Sequence, residues 1–255
     1  MLILLSPSKN QDFEAPAPHP GFSEPALLPE SLVLLKELRK LSVNALGKLM
    51  DVSEKIATLN RKRYREFSTP FTPANARQAV LAFTGDVYQG LDAHSLDAAA
   101  LDFAQAHIRI LSGFYGVLRP LDLIQPYRLE MKIPLKNPRG KNLYQFWGDR
   151  IARTLAAELA GHESKIVVNL ASEEYFKAVD AKALGAKIIT PQFKEKKGSG
   201  YKMIGLFAKK ARGRMARYIV QQRITHPEAL QFFAEDGYRL NVALSKPDAP
   251  LYTRG

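Results

Sequence analysis

The chain has 255 residues, 46% hydrophobic and 24% charged, enough to bury a sizeable core with ordinary globular balance. It contains no cysteine, which excludes disulfides and thiolate metal sites. No apolar run approaches the ~20 residues of a membrane span, and the short Leu2–Leu5 run has no basic region before it, so a cytoplasmic protein without membrane contact is expected. The net charge of +12 is unevenly placed. Residues 1–127 carry 13 basic and 13 acidic side chains, whereas residues 128–255 carry 24 and 12. Between Lys194 and Ile224 there are 10 basic residues and a single acid, Glu195, a concentration that marks a polyanion binder or a solvated basic face.

In chain order, Met1–Leu5 reads as an apolar strand ending in Ser6-Pro7-Ser8-Lys9. Residues 10–29 form a proline-rich loop holding Pro16, Pro18, Pro20, Pro25 and Pro29. An amphipathic helix is expected over 30–41, with Leu32, Leu35 and Leu38 on one side. Residues 42–67 read as two helices joined at Met50-Asp51-Val52-Ser53, with Ser53 as N-cap and Arg61, Lys62, Arg63 and Arg65 on the second helix. The spacing fits an ordinary helical hairpin or a helix-hairpin-helix, whose usual flanking turn glycines are here Asp51 and Ser53.

Further strands are expected at 79–83, 108–111, 166–170, 187–193 and 201–208. Helices are expected at 97–107, at 143–159 in one piece, around Tyr175, and at 209–224. Residues 235–255 show no clear period. Strands alternating with helices argue for an α/β layer fold with a mixed, largely parallel sheet. The expected strand ends are small, polar or charged: Ser6 to Lys9, Gly85-Asp86, Ser112-Gly113, Ala171-Ser172 and Lys209-Lys210. In parallel sheets such ends converge on one ligand cleft.

The stretch from Arg109 to Met131 packs two glycines, two prolines, two arginines beyond its opening strand (Arg119 and Arg128), and Tyr127-Arg128-Leu129-Glu130 into a short span. It reads as a rigid cleft wall, with Gly113 and Gly116 letting the backbone approach a ligand. No phosphate-binding glycine loop, dinucleotide fingerprint or nucleophile elbow is present, and the five histidines are scattered, so no metal or cofactor is expected. On the helix over 209–224, Lys210, Arg214 and Arg217 share a face, with Lys209 and Arg212 near its start.

The stretches MLILLSPSK, ARQAVLAFTGDVYQGL, RILSGFYGVLRPLDLIQPYRLEM, LYQFWGD, VVNLASEEYFKAV and AKKARGRMARYI are similar to the YaaA peroxide-stress proteins of bacteria, nearly end to end. The resemblance implies one domain over 1–255 with a family-specific α/β fold, a basic cleft and a helix-hairpin-helix-like element at about 30–67. It implies a cytosolic role in surviving hydrogen peroxide, limiting damage linked to unincorporated iron, and binding to duplex or non-B-form DNA. The matching polar positions are Lys9, Asp86, Tyr88, Ser112, Tyr115, Arg119, Tyr127, Arg128, Glu130, Asp149, Ser172, Lys209, Lys210, Arg212 and Arg217. No catalytic assignment carries over.

Two functional expectations result. The first is a monomeric DNA-binding stress protein. It would contact phosphates through Lys209, Lys210, Arg212, Arg214 and Arg217, and through Arg61, Lys62, Arg63 and Arg65. Its cleft would be lined by Ser112, Tyr115, Arg119, Tyr127, Arg128 and Ser172. The second is an enzyme acting on nucleic acid or a small anion in the same cleft. There Lys9 or Lys209 would be an amine nucleophile and Asp86 or Glu130 a general base.

Overall fold

The computed structural model describes residues 1–15 and 19–255. Pro16 and Pro18 of the expected proline-rich loop lie outside the described residues. The elements in order are β1 (Leu2–Leu5), α1 (Leu28–Arg39), α2 (Val43–Met50), α3 (Glu54–Glu66), β2 (Arg77–Gln78), α4 (Ala79–Ala82), α5 (Asp86–Leu91) and α6 (Ala98–His107). Then come β3 (Ile108–Ser112), β4 (Gly116–Leu118), β5 (Leu123–Ile124), α7 (Leu143–Trp147), α8 (Arg150–Leu159), β6 (Ile166–Asn169), α9 (Glu173–Phe176) and α10 (Ala181–Leu184). The chain closes with β7 (Lys187–Ile189), β8 (Gln192–Lys197), β9 (Gly200–Lys202), α11 (Gly205–Gln221), β10 (Arg239–Leu240) and β11 (Leu251–Arg254). Among the described residues no helix is long and apolar enough to cross a membrane.

The main sheet runs β4-β3-β1-β6-β7, parallel except for β4. Strand β1 is its centre, and all four of its residues are buried. A strand covered on both faces cannot alternate polar and apolar residues, which is why LILL reads as a continuous run. From β1 the chain builds one side through β3 and then crosses to the other through β6. The order therefore reverses beside β1, and the crevice outside the carboxyl ends of β1 and β6 is the standard ligand position of such sheets.

Several expected elements differ. Residues 79–83 are not a strand: Ala79–Ala82 is a buried turn of helix, and the pairing falls to Arg77–Gln78 against Leu123–Ile124. A short apolar run carries no period that separates the two outcomes. The expected helix over 143–159 breaks at Gly148, whose φ of 52 and ψ of −123 leave the helical region. The expected strand 187–193 is two strands in different sheets, parted at Pro191, which has no N–H to donate. The expected strand 201–208 ends at Lys202, and helix α11 begins at Gly205. Its buried Ala208, Ala211, Met215 and Ile219 recur at helical spacing and bury that face. Lys209 and Lys210 therefore lie within a helix rather than at a strand end.

The tail without a period forms half of a second sheet, β10-β11-β8-β9, in which β11 pairs parallel to β8. Phe193, Phe233, Tyr238 and Tyr252 pack under it with ring centroids 5.4–6.0 Å from Phe193. The expected hairpin at 42–67 is present as α2 and α3. Ser42 caps α2 by accepting from Ala45 N at 3.2 Å, and Asp51 closes the turn at φ 50. Ser53 occupies the N-cap of α3 but its side chain makes no capping bond.

Candidate functional site

The loop after β1, the start of α5, the segment after β5, the start of α9 and helix α11 enclose a cleft of about 570 Å³ at the carboxyl ends of β1 and β6. Ser6, Ser8 and Lys9 come from the first of these, and Asp86 and Tyr88 from the second. Glu130 and Lys132 come from the third, Ser172, Glu174 and Tyr175 from the fourth, and Lys209 and Arg212 from α11. All four residues expected to carry chemistry, Lys9, Asp86, Glu130 and Lys209, share this cleft, and Arg212 and Ser172 join them.

The floor is held by short polar links. Ser172 N donates to Ser6 Oγ at 2.8 Å, and Ser6 Oγ lies 3.2 Å from Ser172 Oγ, which ties β1 to the loop after β6. Tyr88 donates its hydroxyl to the Ser6 carbonyl at 3.0 Å. Burial raises the pKa of Tyr88 and of Tyr175 far above the phenol range, so both remain hydroxyls at neutral pH. Glu130, 8% exposed at its side chain, receives Lys9 Nζ at 2.9 Å and Arg128 Nη2 at 3.3 Å. Two cations on one buried carboxylate offset its desolvation. Lys9 is thereby tied into an ion pair, while its side chain remains 58% exposed at the cleft mouth.

Arg212 has a different environment. It is half-buried, and burial alone lowers its pKa. Among the described residues no carboxylate lies within 4.0 Å of the side chain of Arg212 or of Lys209. The cleft therefore holds four cations (Lys9, Lys132, Lys209 and Arg212) and four carboxylates (Asp86, Glu130, Glu173 and Glu174), and among the described residues only Lys9 of the four cations is held in an ion pair.

Helix α11 reaches the cleft because it crosses α5 at backbone contact. A Cβ on Gly213 would overlap the Val87 carbonyl, and one on Gly90 would overlap that of Lys210. Only glycine at both positions permits this approach. The expectations of the sequence did not include this pair; the signal was present as one glycine in each of two otherwise helical segments.

Other expected site residues lie elsewhere. Ser112, Tyr115 and Tyr127 form a buried network behind the cleft, with Tyr127 Oη 2.6 Å from Ser112 Oγ and Ser112 Oγ accepting from Tyr115 N at 3.0 Å. Gln11 locks it by bonding both the carbonyl and the N–H of Tyr127, at 2.9 and 3.1 Å. Tyr64 of α3 donates to the Arg128 carbonyl, which anchors the helical hairpin to the same wall. Arg119 is turned to Asp122 at 3.0 Å and to the Glu24 carbonyl at 3.0 Å, and does not line the cleft. Gly113 makes room for Leu129 O rather than for a ligand, and Gly116 for Trp147 and Leu27.

On α11, Arg217 donates to the carbonyls of Leu91 and Asp92 at 2.9 and 2.8 Å, and Arg214 pairs with Asp236 at 3.5 Å. Lys210 is exposed beside Phe207, Asp236 and Arg254, off the cleft. On α3, Arg61 donates to the Leu41 carbonyl at 3.3 Å and Lys62 lies 3.8 Å from Glu66, while Arg63 is half-buried and Arg65 exposed.

Residues 1–244 match the family model described as peroxide stress protein YaaA. UPF0246 proteins of Burkholderia multivorans and Burkholderia vietnamiensis are each 52% identical over 256 residues, covering 100% of this chain and 98% of the relative. A UPF0246 protein of Burkholderia cenocepacia matches at 52% over the same span. With both matches running through the strands and loops that build the cleft, the chain belongs to the YaaA peroxide stress protein family.

Proposed function

We propose that the protein acts in the cytoplasm during peroxide stress by binding DNA, duplex or locally unpaired, and so limits iron-linked oxidative damage to it. The observation that carries this reading is the placement of α11. Exposed Lys209 stands with the recessed Arg212, unpaired among the described residues, at the open end of the main sheet, and exposed Lys210 extends the basic face of α11 beyond the cleft. The solvated hairpin β8–β9 adds exposed Lys196, Lys197 and Lys202. Arg65 and Lys62 on α3 offer a second contact, and the α2–α3 turn would serve as a helix-hairpin-helix-like grip. Arg214 and Arg217 are given a structural role, because their guanidinium groups are engaged within the chain. In a salt titration with a duplex containing an unpaired bubble, Lys209→Ala combined with Lys210→Ala should flatten the log–log slope by about two. An unchanged slope and affinity would remove α11 from the interface.

A second reading, an enzyme in the same cleft, is favoured by one observation: Lys9 Nζ lies 2.9 Å from the buried Glu130 carboxylate. Borohydride trapping on abasic-site DNA tests it. An adduct lost in Lys9→Ala supports a lysine nucleophile, and no adduct excludes that step.

A further inference from the structure

The charge balance of the cleft does not suit a continuous polyanion. Carboxylates from three segments, Asp86, Glu130 and Glu174, stand among its cations, and a strand of phosphates running through would meet them. Exposed Lys132 aside, the cations without an ion pair among the described residues lie together on α11, where Arg212 is half-buried. An unpaired, partly desolvated guanidinium is costly unless a ligand completes it, and its planar fork matches two phosphate oxygens. The carboxylates are not all spent. Glu130 is held by two cations, but Glu174 accepts a single N–H, from Lys132 at 3.3 Å, and Asp86 accepts no hydrogen bond among the described residues. Ionised carboxylates only accept, so they select ligands that present N–H donors. Val87 and Tyr175 give the same cleft an apolar surface, and about 570 Å³ lies within the range of small-ligand pockets.

We infer that the cleft binds a single nucleotide unit, with its phosphate on Arg212 and Lys209 and the amino-bearing edge of its base on Asp86 and Glu174. The inference deepens the nucleic-acid reading and depends on it only for the source of the nucleotide. That source is either a free nucleotide or an unpaired nucleotide within a strand. Adenine, cytosine and guanine carry exocyclic amino groups and thymine does not, so thymine should be the weakest ligand.

Two arms separate the sources. In the first, dGMP, dCMP, dTMP, deoxyguanosine and inorganic phosphate are titrated calorimetrically at one ionic strength. In the second, a bubble duplex carrying 2-aminopurine among the unpaired bases is followed by fluorescence. For a free nucleotide, dGMP and dCMP should bind at least ~10-fold more tightly than dTMP, phosphate or the nucleoside. Arg212→Ala and, separately, the exposed Lys209→Ala should each weaken this by about tenfold, with Lys182→Ala on α10 unchanged. For a strand nucleotide, free nucleotides do not bind, but the fluorescence change on the bubble is lost in both variants. Equal binding of dGMP and dTMP overturns the assignment of the carboxylates. Silence in both arms, with salt-dependent duplex binding intact, overturns the inference and leaves the DNA reading standing. Binding of dGMP with no affinity for any DNA does the reverse.

Discussion

The wall from Arg109 to Met131 and helix α11 are both rich in arginine and polar groups, yet they solve opposite problems. In the wall, Ser112, Tyr127, Tyr115 and Gln125 bond one another or the backbone, and Arg109 pairs with Glu158 at 2.7 Å. Apart from Glu130, which faces the cleft, and the buried Arg128 Nε, which has no hydrogen-bond partner among the described residues, its polar chemistry is turned inward and completed. Helix α11 splits: Arg214 and Arg217 are used within the chain, while Lys209 and Arg212 lack an anion at the cleft. Residue type alone does not single out the proposed site; polar chemistry left incomplete beside a cavity does.

That contrast can be broken most severely at the crossing that puts α11 in place. Gly213→Ala drives a Cβ into the Val87 carbonyl, where backbone must give, and should cost about 3 kcal/mol or abolish folding, as read by urea denaturation. Gly185→Ala, also at a glycine but with no heavy atom within 4 Å of the added Cβ, should cost about 1 kcal/mol through its φ of +61 alone. Next in size, Arg217→Ala strips the Leu91 carbonyl of its donor, takes one of several from the Asp92 carbonyl, and should lose about 1–2 kcal/mol of stability while leaving the salt slope of DNA binding unchanged. A flattened slope in that variant would return Arg217 to the interface. Tyr127→Phe should cost about 1 kcal/mol with no effect on binding, since Ser112 Oγ keeps its two backbone donors. Lost binding would make the wall part of the site.

The smallest effect is in pH. Burial, reinforced by neighbouring positive charge, lowers the pKa of His162 from 6.5 to about 4, and burial also lowers that of His107, whose ring lies 4.7 Å away. Between those values the unfolded chain binds more protons than the folded one, so stability is full above pH 6.5 and declines as pH falls toward 4. His162→Gln should reduce that decline in a pH series of denaturation midpoints. An unaltered decline would place its origin elsewhere.

Much of this was legible in the chain itself, for identifiable reasons. The central strands β1, β3 and β6 announce themselves because both faces are covered, which makes β1 wholly apolar and leaves β3 and β6 as the short apolar runs around Ile110-Leu111 and Val167-Val168. The polar ends of β1 and β6 follow from the sheet, which is how Lys9 and Ser172 were placed. Lys209 was placed in the right cleft from the wrong element, since it reaches there on a helix. The second sheet was not legible because β11 finds β8 from 59 residues away, a pairing that leaves no local period. Nor could the roles of the arginines be read locally. Arg217 is used up by Leu91 and Asp92, 126 and 125 residues distant, and the neighbouring Arg212 is not.

The most direct test sets those two arginines of one helix side by side. Binding of the 2-aminopurine bubble duplex is titrated for Arg212→Ala and Arg217→Ala at fixed salt. The fluorescence response should be lost in Arg212→Ala and retained in Arg217→Ala. A response retained in Arg212→Ala, or lost equally in both, contradicts the assignment of the cleft.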